Sequence, residues 1–277
     1  MPRAIDVVYT DLDGTMVGPR GCFFRAAGGV TSLEPARALV ELLNAGVVLV
    51  LVSGRTRAQL IEACAIFGAD GFVAELGAIV GWAGGRESAR LPGTAPEAAV
   101  GPEGSTVAAG ADDGLVADLL AEYAGQLELH SPWHLGHEVD VMLRGRVDVG
   151  DVEAWLAGRG AGWLRLRDNG VLRERRPERG LGAVHVYHLV PDGISKGAAV
   201  EYDLARRGID PARALAIGDS ASDLEMAPHV GRMSVVANGA RAPHMPALIA
   251  RHGNVSVEQA PLGAGWASAV RSALGSP

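Results

Sequence analysis

A run of six apolar residues, Val47 to Val52, constrains the fold of this chain more than any other feature. An unbroken apolar strand is typical of parallel sheets that helices cover on both faces. Helical patterns flank it at Ser32 to Asn44 and at Thr56 to Phe67, with further strand patterns at Ile5 to Thr10 and Gly71 to Leu76. This alternation predicts an α/β protein with a Rossmann-like, doubly wound parallel sheet.

The alternation stops in the middle of the chain and resumes near the C-terminus. A Gly-, Ala- and Pro-rich stretch at 83–114 is interpreted as a linker or mobile loop. Strand patterns on either side of Asp168-Asn169-Gly170, at 163–167 and 171–175, predict a hairpin turn there. We therefore expect a core of residues 1–83 and 189–277, with a small α+β domain inserted at 84–188.

Composition and charge exclude several classes of function. The net charge is −7 and the sequence pI is about 5.6, which argues against a general nucleic-acid binder. Two cysteines, Cys22 and Cys64, match neither a metal-binding spacing nor a disulfide framework. No signal peptide or membrane-spanning apolar run is recognisable, so a cytoplasmic protein that does not bind membranes is expected. The oligomeric state is not predicted.

Asp11 and Asp13 lie just past the first predicted strand, in Asp11-Leu12-Asp13-Gly14-Thr15. Two carboxylates so close together repel each other unless a cation lies between them, and Mg²⁺ prefers such hard oxygen ligands. Gly14 permits a tight bend, and Thr15 offers a hydroxyl and a backbone N–H to an anion. An acidic turn without catalytic function would account for the same pentapeptide.

Three more polar clusters end predicted strands or begin predicted helices. They are Ser53-Gly54-Arg55, Lys196, and the pair Asp219 and Asp223. The carboxyl ends of parallel strands meet at one edge of a sheet, where open α/β sheets bind ligands. Each cluster also has an ordinary explanation as a helix cap, a surface ion pair or an Asx turn. Lys196 is the single lysine among 25 basic residues, which indicates a site that needs a compact ammonium.

In chain order, these motifs resemble those of the haloacid dehalogenase superfamily of phosphotransfer enzymes. The motifs are Asp-Leu-Asp-Gly-Thr, Ser-Gly-Arg, the lysine of Ile-Ser-Lys-Gly, and Gly-Asp-Ser-Ala-Ser-Asp. An insert between the second and third motifs is similar to the α/β cap of the Cof-like subgroup, which implies that the insert covers the leaving group and sets substrate specificity. Two positions depart from the subgroup pattern: Ser222 stands where Asn is common, and Glu75-Leu76-Gly77-Ala78 replaces Glu-Asn-Gly-Ala.

The resemblance implies a role for each matching residue. Asp11 would be the nucleophile that forms an aspartyl-phosphate, and Asp13 the general acid and base. The implied Mg²⁺ ligands are the carboxylates of Asp11 and Asp219 and the backbone carbonyl of Asp13, with Asp223 either a further ligand or a support behind the ligands. The implied phosphate-binding residues are Thr15, Ser53, Gly54 and Lys196.

A Mg²⁺-dependent phosphatase of a small phosphorylated metabolite is the function that the resemblance implies. Val186-Tyr187-His188 is similar to a stretch of the mannosyl-3-phosphoglycerate phosphatases, so a sugar phosphate or phosphoglycerate derivative such as mannosyl-3-phosphoglycerate is expected. A phosphomannomutase-like phosphomutase and a non-catalytic ligand-binding relative are the alternatives. The candidate substrate-binding residues are Arg55, Glu75, Arg165, Arg167 and His188. An exposed strand face would equally account for the alternation of Arg165 and Arg167, and no zinc site is expected among the insert's histidines.

Overall fold

The computed structural model describes residues 4–100, 114–172 and 184–275. The chain forms two compact units, one of Met1–Ala89 with Ser195–Pro277 and the other of Arg90–Ile194. Both junctions lie six residues later than the sequence-based boundaries at 83 and 188. We call the first unit the core and the second the insert; that the insert governs substrate choice stays a prediction.

The strands of the described residues form two sheets. In chain order they are β1 (Val7–Asp11), β2 (Val48–Val52), β3 (Gly71–Ala74), β4 (Ile79–Trp82), β5 (Glu87–Arg90), β6 (Leu127–Leu129), β7 (Val141–Gly145), β8 (Leu164–Val171), β9 (His185–Pro191), β10 (Ala214–Gly218), β11 (Arg232–Val235) and β12 (Val255–Val257). One sheet has the order β12-β11-β10-β1-β2-β3-β4-β5 and the other β6-β7-β9-β8.

All the α-helices of the described residues except the last lie between these strands along the chain. They are α1 (Glu34–Asn44), α2 (Arg57–Phe67), α3 (Leu115–Glu122), α4 (Val149–Gly158), α5 (Lys196–Arg207), α6 (Ala221–Leu224), α7 (Ala237–Ala240), α8 (Met245–Ile249) and α9 (Leu262–Leu274). The expected α/β, Rossmann-like fold class is thereby confirmed. Within the described residues, no helix has the length and apolar character needed to cross a bilayer.

The core sheet is parallel from β12 through β3, and β4 then runs antiparallel to β3. Val73 pairs with Val80, and only the short turn Glu75–Ala78 separates the two strands. A parallel connection needs a crossover of a dozen or more residues, which this turn cannot supply. The next strand, β5, falls inside the stretch that was predicted to be a linker, so that prediction was wrong at 87–90.

Two helix caps position residues of the candidate site. Thr56 caps α2 through a capping box with Gln59, so Ser53 is not the cap of this helix. Ser195 caps α5 by accepting a hydrogen bond from the backbone N–H of Ala198 at 3.0 Å. Lys196 is therefore the first residue of α5, and the Ser195 cap fixes the backbone position from which its side chain extends.

A buried carboxylate, Asp203, ties β1 and β4 to α5. The Tyr9 hydroxyl donates to it at 2.7 Å, Trp82 Nε1 at 2.6 Å, and Arg207 Nε at 2.7 Å. Burial, followed by the charge of Asp203, raises the pKa of Tyr9 well above its usual range, so its hydroxyl keeps its proton and donates. Because Tyr9 is two residues before Asp11, this network fixes the strand that carries Asp11.

The insert packs α3 and α4 against one face of its antiparallel sheet, around buried residues such as Leu119, Leu143, Leu156 and Tyr187. The predicted hairpin turn at 168–170 is wrong, because β8 continues through these residues and Val171 pairs with His185. Asp168 accepts a hydrogen bond from the backbone N–H of Gly170, whose φ is +94°, and this local turn makes a bulge instead. Of the strand expected at 171–175, residues 173–175 lie outside the described residues. Residues 101–113 of the predicted linker also lie outside them.

Candidate active site

The motif residues of the core meet at the carboxyl edge of its parallel strands. Asp11 is the last residue of β1 and lies beside Val52 of β2, which Ser53 follows directly. Asp219 follows β10, the neighbour of β1 on its other side. The structure therefore brings three separate chain segments to one edge, as the sequence predicted for parallel strands.

Lys196 lies at the centre of this edge and is almost fully buried. Its Nζ donates to Asp11 Oδ1 at 3.0 Å and to Asp223 Oδ1 at 2.6 Å. Burial alone would lower the pKa of Lys196, but the charges of Asp11 and Asp223 outweigh it and raise the pKa well above its usual range. The ammonium is therefore charged throughout the physiological pH range.

The second oxygen of Asp11 is unusual. Asp11 Oδ2 is buried and has no hydrogen-bond partner among the described residues. Burial, opposed by Lys196 and reinforced by the carboxylates of Asp223, Asp219 and Asp13, raises the pKa of Asp11 well above its usual value. A buried carboxylate oxygen without a donor is costly, so this atom marks a place for a cation or a reacting group.

Asp11, Asp219 and Asp223 form a cluster in which one carboxylate oxygen of each lies within 4.8 Å of the others. Lys196 offsets one of their three charges, which leaves an excess of about two negative charges in the cluster. A divalent cation with hard oxygen ligands would match both this charge and this donor set. The residues present therefore fit a metal ion such as Mg²⁺.

The turn after β10 holds Asp223 firmly. Asp223 Oδ2 accepts from the backbone N–H groups of Asp219 at 3.0 Å and Ser220 at 2.9 Å, and from the Ser220 hydroxyl at 2.6 Å. The Ser222 hydroxyl lies 2.9 Å from that of Ser220. The departure from Asn at position 222 thus leaves a polar group in the same hydrogen-bond network.

Asp13 and Arg55 form an ion pair at the more exposed side of the edge. Arg55 Nε donates to Asp13 Oδ2 and Nη2 donates to Oδ1, both at 2.7 Å. Their side chains are 32% and 52% exposed for Arg55 and Asp13, respectively. The acid that pairs with Arg55 is thus a residue of the candidate site itself, and contact of Arg55 with a substrate anion stays a prediction.

Thr15 and Ser53 are both buried beside the cluster. The backbone N–H of Thr15 donates to the Leu12 carbonyl at 3.2 Å, and the Thr15 hydroxyl donates to Asp219 Oδ1 at 3.5 Å. The Ser53 hydroxyl oxygen accepts the backbone N–H of Arg55 at 3.3 Å, across the single residue Gly54. Ser53 therefore still has its hydroxyl proton to donate to a ligand oxygen.

Glu75 and Leu76 support the Ser53 loop from the end of β3. Their backbone N–H groups donate to the carbonyls of Arg55 at 3.1 Å and Ser53 at 3.3 Å. Both residues have positive φ angles, 51° for Glu75 and 56° for Leu76. The Cof-like subgroup commonly has Asn at the position of Leu76, and Asn tolerates a positive φ better than Leu does. Leu76 therefore introduces backbone strain beside the site.

The remaining substrate candidates, Arg165, Arg167 and His188, belong to the insert. Arg165 pairs with Asp192 at 2.8 Å and donates to the Gly162 carbonyl, so it is engaged within the insert. Arg167 lies opposite His188 in the pairing of β8 with β9.

His188 is part of a buried cluster that the sequence did not reveal. Nδ1 of His188 and Nδ1 of His137 each contact one carboxylate oxygen of Asp140. Burial acts to raise the pKa of Asp140, but the two histidines hold it well below its usual range. Asp140 lies 48 residues from His188 in sequence, and no spacing pattern links them.

The sequence also gave no sign of Asn238, which lies in the short helix α7. Its side-chain amide donates to the Gly14 carbonyl at 2.8 Å and to Asp219 Oδ2 at 2.9 Å. An Asn-Gly dipeptide after a strand is typical of an ordinary turn, so only the structure shows that this residue reaches the site.

Comparison with known proteins agrees with this geometry. A family model for haloacid dehalogenase-like hydrolases matches residues 183–243. A phosphoglycolate phosphatase of Methanoculleus marisnigri is 30% identical over 226 residues, which cover 80% of each chain. The chain belongs to the haloacid dehalogenase-like hydrolase family. The expected enzyme class, a phosphatase of this family, is confirmed.

Further similar proteins include one more relative by sequence and several solved structures that share the fold. A phosphoglycolate phosphatase of Methanospirillum hungatei is 29% identical over 239 residues, or 83% of each chain. The sucrose-phosphatase of Synechocystis sp. PCC6803, solved with sucrose and phosphate, shares the fold with a TM-score of 0.62, 16% identity and 98% coverage of both chains. A haloacid dehalogenase-like hydrolase from Bacteroides thetaiotaomicron gives a TM-score of 0.63 at 16% identity, covering 97% of this chain and 99% of that one.

Proposed function

We propose that this enzyme is a Mg²⁺-dependent phosphatase that hydrolyses a small phosphorylated metabolite through an aspartyl-phosphate on Asp11. The observation that carries the proposal is the arrangement around Asp11. One oxygen is held by the buried ammonium of Lys196, and the other is buried without a partner among the described residues. A nucleophile needs this combination of a fixed orientation and an oxygen that no donor occupies.

Lys196 supports the attack of Asp11 on phosphorus. As an Asp11 oxygen bonds to phosphorus, the bond from phosphorus to the leaving oxygen breaks. The buried ammonium lies 3.0 Å from Asp11 Oδ1 and offsets negative charge on the carboxylate and on the phosphoryl oxygens. Electrostatic stabilisation of this kind is the main requirement of phosphoryl transfer.

The cation would be held by Asp11 and Asp219 together with the backbone carbonyl of Asp13, and Asp223 would support it. A bound Mg²⁺ supplies charge neutralisation for the carboxylates and the phosphoryl group. Asp223 is already engaged with Lys196 through one oxygen and with the Asp219–Ser220 backbone through the other. Its part is therefore to fix the shape of the site.

Asp13 would give a proton to the leaving oxygen and then take one from the water that hydrolyses the aspartyl-phosphate. Both of its carboxylate oxygens accept hydrogen bonds from Arg55. Donation to the leaving oxygen requires that Asp13 carry a proton, which it would take from the water consumed in the preceding turnover, and that the incoming substrate displace at least one of these bonds. Arg55 is thus placed to contact the same substrate that frees Asp13.

Ser53 and Gly54 would hold the phosphoryl oxygens from the end of β2. The Ser53 hydroxyl accepts the Arg55 backbone N–H and points its own proton elsewhere. Thr15 was predicted to bind phosphate, but its N–H bonds to Leu12 and its hydroxyl faces Asp219. We therefore assign Thr15 chiefly to the orientation of Asp219.

The substrate class follows from the relatives and from the insert. Two relatives at about 30% identity are phosphoglycolate phosphatases, which makes 2-phosphoglycolate the first substrate to test. Because the sequence around His188 resembles that of mannosyl-3-phosphoglycerate phosphatases, mannosyl-3-phosphoglycerate and simple sugar phosphates are the next substrates to test. The insert would supply the residues that choose among them, with His188 held in place by Asp140.

The test is phosphate release from these substrates with Mg²⁺ and with EDTA. We expect hydrolysis of at least one small phosphomonoester with Mg²⁺ and loss of that activity with EDTA. Asp11→Asn is the matched control, because it keeps the shape of the side chain and removes the nucleophilic charge. Activity that survives EDTA, or an Asp11→Asn variant as active as the wild type, would contradict the proposal. Label transferred to a second sugar hydroxyl instead of water would indicate a phosphomutase.

A further inference from the structure

Asn238 joins three segments of the core at the candidate site. Its side-chain amide nitrogen donates to Gly14 O at 2.8 Å and to Asp219 Oδ2 at 2.9 Å, and its amide oxygen accepts from Leu262 N at 2.8 Å. The partners settle which way the amide faces. Gly14 O can only accept a hydrogen bond and the Leu262 N–H can only donate one.

The backbone around Asn238 is packed too tightly for these contacts to be loose. A Cβ atom on Gly239, the next residue, would lie 2.1 Å from the carbonyl oxygen of Asp219. A Cβ atom on Gly14 would lie 2.4 Å from Asp219 Oδ2, and Gly14 has a φ of +94°. Asn238 therefore lies at a fixed distance from both Asp219 and the Asp13-Gly14 backbone.

We propose that Asn238 is a positioning residue for the metal site. By holding one oxygen of Asp219 and the carbonyl next to Asp13, it aims the other Asp219 oxygen and the Asp13 carbonyl at the cation. This inference rests on the cation site proposed above. Hydrogen-bond partners behind metal ligands typically contribute 10–100-fold to metal affinity, so the same range is expected for Asn238.

Asn254 offers a matched control in the same unit. It is also a half-buried asparagine, and its side-chain amide also donates to two oxygens, the carbonyls of Ala227 and Val230, both at 2.8 Å. In the part of the chain that the structure describes, these carbonyls are the hydrogen-bond partners of its side chain, in place of Asp219 and Gly14. Asn254→Ala and Asn238→Ala therefore remove similar hydrogen bonds, and only the second removes bonds at the proposed metal site.

The experiment measures Mg²⁺ binding without substrate, from the rise in unfolding temperature as Mg²⁺ is added to EDTA-treated protein. We expect Mg²⁺ to bind Asn238→Ala about 10–100-fold more weakly than the wild type, and Asn254→Ala as tightly as the wild type. Asn238→Ser, whose shorter hydroxyl cannot reach all three partners, should show the same direction and carries the test if the alanine variant does not fold. In an Asp219→Ala background, Asn238→Ala should cause a smaller loss of Mg²⁺ affinity than it does in the wild type, because only its bond to the Gly14 carbonyl then remains to be removed.

The outcomes separate the two proposals. Wild-type affinity in both Asn238 variants would overturn the role of Asn238 and leave the cation site intact. Equal weakening in the Asn238 and Asn254 variants would also overturn it, because general destabilisation would then be the cause. A wild-type protein that Mg²⁺ does not stabilise would overturn the cation site itself, and the role of Asn238 with it.

Discussion

Lys196→Met is expected to cost far more stability than the loss of one ordinary ion pair. The methionine side chain has similar length and volume but no charge, so Asp11 Oδ1 and Asp223 Oδ1 lose the ammonium that lies 3.0 Å and 2.6 Å away. Removal of one partner from a buried ion pair typically costs about 3–5 kcal/mol, because a buried charge is left without compensation. That is a large part of the total stability of about 5–15 kcal/mol of a typical protein.

Urea unfolding in EDTA, followed by circular dichroism, measures this loss as a change in the free energy of unfolding. Arg55→Met is the matched control, since Arg55 also pairs with an aspartate at the same sheet edge but is about one-third exposed. An exposed pair is worth at most about 1 kcal/mol. We therefore expect a loss of about 3 kcal/mol or more for Lys196→Met and of less than about 1 kcal/mol for Arg55→Met.

The deficit of Lys196→Met should also depend on pH. Burial raises the pKa of Asp11 in the folded state and Lys196 opposes this, so without the ammonium the pKa of Asp11 rises further and the folded variant binds more protons than the unfolded chain. Its stability relative to the wild type then increases as the pH falls from 8 towards 5. A loss no larger than that of Arg55→Met, or a deficit that grows on acidification, would refute the buried ion-pair cluster.

Two further predictions concern stability away from Lys196. Tyr9→Phe removes a hydroxyl donor to the buried Asp203 and should lower the free energy of unfolding by about 1–3 kcal/mol; a urea series that shows no change would contradict the network. Burial first, then the nearby Arg144, lowers the pKa of His130 to about 4. In the unfolded chain the pKa of His130 is near 6.5, so between about pH 6.5 and pH 4 His130 is protonated in the unfolded chain but not in the folded insert. The free energy of unfolding therefore falls as the pH drops through this range. His130→Gln should remove up to about 2 kcal/mol of that dependence at pH 5, and an unchanged pH profile would exclude His130 as its source.

The meeting of the motifs was predictable because it follows from sheet geometry. Val48–Val52 could form only a strand covered on both faces, and its parallel neighbours end at the same edge. Residues just past those strands, such as Asp11 and Ser53, therefore had to approach one another. The solitary lysine added independent information, since Lys196 lies in the middle of the acidic residues.

Other features depend on distances that no sequence pattern encodes. The ion pair between Arg55 and Asp13 joins residues that are 42 positions apart in the sequence. The hydrogen bond from Asn238 to Gly14 joins residues that are 224 positions apart. The bulge in β8 was mistaken for a hairpin turn because Asp-Asn-Gly is suitable for both, and only pairing with β9 distinguishes them. The strand β4 was predicted at its observed position, Ile79 to Trp82, but its antiparallel direction was not, because a short apolar run does not reveal strand direction.

The most direct test of the metal-dependent mechanism is the location of the cation itself. Crystals grown with Mn²⁺ in place of Mg²⁺ would show it by anomalous scattering, without reference to any assay. The account predicts one strong peak at the core site, with one carboxylate oxygen of Asp11, an Asp219 oxygen and the Asp13 carbonyl as ligands and Lys196 still bonded to Asp11. A peak elsewhere, or none at Asp11 at millimolar Mn²⁺, would contradict it.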